Sequence, residues 1–134
     1  MKYIQLSDTE LDIMQILWKE GNGLSRPEIL ARLEGKDWNP NSIHQVLNSM
    51  MKKEVLTVGG MARCGKVYGR VYWPAFTQQE FLAKRTEEIT PGLSSKERLL
   101  GVVAALTELE GIDAETIDEL EQLLAARKKE LDNL

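Results

Sequence analysis

The side chains of this 134-residue chain best placed to do chemistry are amides and hydroxyls. Asn41, Ser42, Gln45, Asn48 and Ser49 fall close together in the sequence, at spacings that gather them on the side of a helix away from Ile43, Leu47 and Met50. Asn and Gln carry a donor beside an acceptor and can pair bidentately with the N6 and N7 edge of adenine, while a Ser hydroxyl suits several base edges. The chemistry this pattern fits is the reading of base pairs in a DNA major groove. The plainer reading is a hydrated helix exterior, although such faces are usually filled with Glu and Lys. Residues 39–72 add Lys52, Lys53, Arg63, Lys66 and Arg70 against Glu54 alone. Those five cations suit phosphate contacts, which hold register without carrying sequence information, and each also fits as an ordinary surface charge.

Covalent and metal chemistry find no support. Cys64 is the single cysteine and His44 the single histidine, which excludes an intramolecular disulfide and leaves too few soft ligands for structural zinc. Neither residue sits in a nucleophile motif. The sequence therefore predicts a protein that is not an enzyme, with no catalytic residue, no metal and no cofactor. Trp18, Trp38 and Trp73 read as packing residues in stapled or β-rich contexts.

The elements that must position the amide face are legible from their caps. Leu6-Ser7 with Glu10 and Leu11 combines a hydrophobic staple with a capping box, opening a helix to about Lys19 that stops at Gly21-Asn22-Gly23. Leu24-Ser25 with Glu28 and Ile29 repeats the device for a short second helix ending before Gly35. Trp38-Asn39-Pro40 opens the third, with Asn as cap and Pro at the first helical position, and Ile43, Val46, Leu47 and Met50 form its apolar stripe. The composition then turns β-branched and aromatic in 55–58 and 67–73. Between them Gly59 to Lys66 reads as the loop of a hairpin with a basic tip, and Pro74 ends it. Phe76-Thr77 with Glu80 and Phe81 starts a helix to about Ile89; Ser94 or Ser95 starts another reaching Gly111; Ile112-Asp113 with Ile117 staples the last.

Composition is that of a folded domain, 43% hydrophobic and 28% charged, with a net charge of −4. Residues 1–76 are net +2 and residues 77–134 net −6. The two parts are therefore expected to play different roles, residues 1–76 as a DNA-binding domain and residues 77–134 as an acidic helical region kept off phosphates. No apolar run is long enough to span a bilayer, and no signal core opens the chain, so the expected location is the cytoplasm, without a membrane partner.

Three helices followed by a hairpin is the winged helix-turn-helix order. The predicted fold is mainly α with a small β-hairpin, an N-terminal winged helix and a C-terminal helical dimerisation region. Leu99, Val103 and Leu106 against Ile117, Leu120 and Leu124 are more apolar positions than a thin appendage buries alone, so a second copy is expected to cover them.

Residues 6–18, then Trp38-Asn39-Pro40-Asn41-Ser42-Ile43 with Leu47-Asn48 and Lys52-Lys53, and then Gly69-Arg70-Val71-Tyr72 with Pro74, Thr77 and Glu80, resemble the penicillinase-repressor (BlaI/MecI/CopY) family. The resemblance implies a transcriptional repressor, homodimeric through its C-terminal helices, on a dyad-symmetric double-stranded DNA operator. Asn41, Ser42, Gln45 and Asn48 would then touch bases, and Lys52, Lys53, Arg63, Lys66 and Arg70 phosphates. Helix three is less basic than is common in that family, and Glu54 stands where a helix-ending Gly is usual. Members of the family are relieved by cleavage at an Asn-Phe bond or by copper at a Cys-rich motif. No asparagine here precedes Phe and there is one cysteine, so the inducer or regulatory protease stays unnamed. A winged-helix dimer serving mainly as a protein-interaction adaptor is the alternative, suggested by the acidic chain and neutral reading face.

Overall fold

The computed structural model describes residues 5–33, 40–64 and 67–134, and the side chains of 40, 41, 62–64, 67 and 68 lie outside the described set. Trp38, Asn39 and Lys66 fall outside it entirely, as do the side chains of Asn41 and Arg63. The elements run α1 (Asp8–Glu20), β1 (Leu24–Ser25), α2 (Arg26–Arg32), α3 (Pro40–Lys52), β2 (Leu56–Cys64), β3 (Val67–Pro74), α4 (Gln78–Ile89), α5 (Ser95–Thr107) and α6 (Ala114–Asp132). The chain divides into two compact units, Met1–Thr86 and Glu87–Leu134.

In the first unit three helices pack on a three-stranded antiparallel sheet of order β1-β3-β2, which is the winged-helix arrangement. Their apolar sides meet in one core: Ile13, Met14 and Leu17 of α1, Ile29 of α2, Ile43, Leu47 and Met50 of α3, and Tyr72 of β3 are all buried. Local capping starts the helices. Ser7 and Glu10 exchange reciprocal hydrogen bonds of 3.2 and 2.9 Å, and Thr77 and Glu80 do the same at the head of α4, each satisfying two amide groups that helix geometry leaves without partners. The staple at α4 is visible as Phe76 stacked on Phe81, ring centroids 6.2 Å apart.

Three expectations change. β1, a two-residue strand pairing Leu24 with Tyr72 and Ser25 with Val71, is absent from the sequence reading, because so short a strand has no periodicity. The stretch from Gly59 to Cys64 is not loop but the outer half of β2. Its register slips between Val58 and Met61, so that Gly59 and Gly60 together oppose Val71, a β-bulge, with Gly60 at φ +109°. In the second unit α5 ends at Thr107, one turn before Gly111.

Glu10 serves a second purpose. Only 5% exposed, it also receives a 2.8 Å bond from the Lys53 ammonium, which reaches the Gln5 carbonyl at 3.3 Å. This ties the start of α1 to the residue after α3. Burial alone would raise the Glu10 carboxyl, but the hydrogen bond from Lys53, those from the Ser7 backbone and hydroxyl, and the Lys53 charge outweigh it and hold it below the ordinary 4.5. A carboxyl lowered in the folded state stabilises fully above its unfolded value and loses that contribution as pH falls through the folded one. The expected result is a urea midpoint that drops as pH falls below about 4.5, with Glu10→Gln flattening part of that drop. Identical pH profiles for the two proteins would show that the clamp contributes nothing.

Candidate nucleic-acid interface

At 100° per residue, α3 turns Ile43, Leu47 and Met50 inward, and each is 0% exposed. The opposite side is a line at spacings of four, three and four through Asn41, Gln45, Asn48 and Lys52. Gln45 and Lys52 are exposed and Asn48 is half-buried. Asn41 occupies the first turn of that line, with its side chain outside the described residues. Ser42 sits on one flank and is half-buried, and His44 sits on the other and is exposed. The sequence-predicted base readers are thus one helix line with Ser42 beside it.

A residue from a second helix joins the flank. Arg26, at the first position of α2, brings Nη1 to 3.2 Å from His44 Nδ1. A guanidinium only donates, so in this contact His44 Nδ1 is the acceptor. The sequence signal was present in the helix-turn-helix order, which sets the head of α2 beside α3, but that order fixes no side-chain contact. The nearby acid is turned away: Glu28 Oε1 accepts from the Ser25 backbone at 3.0 Å and from its hydroxyl at 2.8 Å. The backbone bond from Ser25, then its hydroxyl, with a smaller contribution from the Arg32 charge, hold Glu28 below the usual carboxylate range.

The five predicted anchors separate. Lys52 lies on the outer line of α3, whereas Lys53 is engaged on Glu10 and Gln5, on the α1 side. Arg70 is exposed on β3, on the same face as buried Tyr72 two residues on, so it lies on the helix side of the sheet beyond the core. Arg63 pairs with Tyr68 in the outer hairpin, and Lys66 is outside the described residues. The structure therefore brings Gln45, Asn48 and Lys52 together and adds Arg26 and His44. Glu54, which ends α3, has φ +63°, the left-handed conformation that normally selects glycine.

Among the described residues no three His, Cys, Asp or Glu side chains group to hold a metal ion, and no helix is long and apolar enough to cross a membrane. In the second unit no residue of α5 or α6 is buried. Val103, Leu106, Ile112, Ile117 and Leu120 line an apolar groove of about 210 Å³ between the two helices, while Leu99 and Leu124 are 57% and 45% exposed.

Known proteins share features of this chain. A penicillinase repressor from Bacillus licheniformis is 27% identical over 128 residues, covering 95% of this chain and 94% of that one. A solved structure of a zinc-responsive MarR family member, ZitR of Lactococcus lactis, aligns over 97% of this chain and 79% of that chain, with a TM-score of 0.45 and 15% identity. The penicillinase repressor family model matches residues 6–126. With that span covering most of the chain and both a winged helix and an amide-lined third helix in place, the chain belongs to the penicillinase-repressor family of DNA-binding transcriptional repressors.

Proposed function

We propose that the protein represses transcription as a homodimer on a dyad-symmetric operator, with α3 in the major groove and the β2–β3 hairpin along the backbone. The observation that carries this reading is the outer line of α3, amide-bearing with Lys52 at its end where an idle helix face would carry Glu and Lys throughout, and flanked by Arg26 of α2. Asn41, Gln45 and Asn48 read base edges, with Ser42 at the flank. Lys52, Arg63, Lys66 and Arg70 hold phosphates, and Arg26 joins them. Lys53 is assigned to the Glu10 clamp instead. Residues 1–76 are the DNA-binding domain and residues 77–134 join the two copies through Leu99, Val103, Leu106, Ile117, Leu120 and Leu124. The site of action is the cytoplasm, and the remaining partner is whatever relieves repression, an inducer or a regulatory protease.

Selection of genomic fragments on the purified protein, followed by sequencing, should yield a dyad whose half-sites lie an integer number of helical turns apart. On that operator Gln45→Ala should cost about 1–3 kcal/mol and relax preference at one base pair, whereas Arg70→Ala should weaken specific and unrelated DNA alike. If Gln45→Ala changes neither affinity nor base preference, the wrong face of α3 has been assigned.

A further inference from the structure

The bulge at Gly59-Gly60 is where the sheet changes character. Below it β3 is held on both sides, by β1 at Leu24 and Ser25 and by β2 from Leu56 to Val58. Above it only the β2–β3 pair from Met61 to Arg70 continues as the wing. A bulge bends its strand and increases the local twist, so the angle at which the wing leaves the sheet is decided there.

Trp73 sits against this joint. Its indole Nε1 donates to the Gly59 carbonyl at 3.0 Å, taking up an acceptor at the slip in the ladder. The ring leaves no room for a side chain at either neighbouring glycine. A Cβ on Gly59 would lie 2.9 Å from Trp73 ring atoms, and one on Gly23, just before β1, would lie 2.5 Å from the ring and 2.4 Å from Val71. Gly23, Trp73 and Gly59 thus lie side by side across the sheet, on the face opposite buried Tyr72. At 36% exposed, Trp73 is not held there as a core residue.

We infer that Trp73 is a positioning residue for DNA binding: its indole, seated on Gly23 and bonded to the Gly59 carbonyl, sets the angle at which the wing leaves the sheet and so places Arg70 on the phosphates. The inference rests on the DNA-binding reading of the preceding subsection. Trp73 itself touches no DNA in this scheme. Two separate glycines are kept bare for one half-exposed ring, which serves no purpose if the ring only fills space. Arg70 is the residue through which it acts, because it pairs with Met61 on the first rung beyond the bulge.

The test is a double-substitution cycle on the full chain, read as affinity for duplex DNA and as the slope of log K against log[salt]. Trp73→Phe removes the indole donor and keeps an aromatic ring. Alone, it is expected to lower affinity about tenfold and make the slope shallower by about 1 or more, as lost phosphate contacts require. In an Arg70→Ala background the same substitution should cost much less, since the contact it positions is already gone. Gly59→Ala, which displaces the indole from the other side, should reproduce the pattern and serves if Trp73→Phe does not fold by circular dichroism. Losses that add fully across the cycle, or an unchanged slope, would overturn the inference while leaving the DNA-binding reading intact. Failure of the unsubstituted protein to bind DNA at all would overturn that reading first, and the inference with it.

Discussion

Operator affinity is expected to fall about a thousandfold between 50 and 200 mM salt. Each protomer offers Lys52 at the end of α3, Arg70 and Arg63 on the hairpin, Lys66 between its strands, and Arg26 at the head of α2. If about three of these meet phosphate at once, a dimer neutralises about six, and release of the counterions condensed there gives a slope of log K against log[salt] near −5. The net charge of −4 argues against a response of this size, but it is the local field that matters at a contact. The surplus acid is carried by residues 77–134, whereas residues 39–72 hold five cations against Glu54 alone. Filter binding or fluorescence anisotropy across that salt range checks the figure. A flat response, with no dyad preferred among selected fragments, would falsify the repressor reading, and the adaptor alternative would then account better for a neutral α3.

How much of this was legible in the sequence depends on the reach of the interaction concerned. Caps act over three or four residues, so Ser7 with Glu10, Ser25 with Glu28 and Thr77 with Glu80 identified their helices from spacing alone, and the structure shows each of those bonds and chooses Ser94 over Ser95 as the cap of α5. The inward stripe of α3 was equally plain, because periodicity is a local property. The wing was half legible. Gly59-Gly60 looks like a turn, and only the pairing of Met61 with Arg70 across the slip reveals a bulge inside a longer strand. Contacts between distant parts of the chain were not legible. Lys53 reads as a free cation until the fold brings it 2.8 Å from Glu10, 43 residues away, and Arg26 meets His44 across the helix-turn-helix. In both cases the sequence supplied the residue types and tertiary packing supplied the partner.

Aspartate at Leu120 or Val103 is expected to yield monomers that keep a folded winged helix and bind the operator roughly a hundredfold or more weakly. The second unit leaves apolar side chains in water: none of α5 or α6 is buried, and Leu99, Leu106, Ile117 and Leu124 are 57%, 53%, 39% and 45% exposed. Extended exposed apolar surface on a small domain marks an interaction site. Val103 and Leu120 are partly shielded and line the groove between α5 and α6, so a carboxylate at either position would have to be desolvated when a partner closes over it. The affinity loss would come from linkage rather than from a lost DNA contact. Once one half-site is held, the second domain binds at an effective concentration set by its tether, and two separate monomers forfeit that gain. The substitutions lie in the second unit and the core of the winged helix lies in the first, so helix content and the unfolding transition of residues 1–86 should be retained. Sedimentation at tens of micromolar, paired with operator binding, checks both halves of the expectation. An unaltered protein that sediments as a monomer, or aspartate variants that remain dimeric, would mean that α5 and α6 cover their apolar surface by some means other than a second copy.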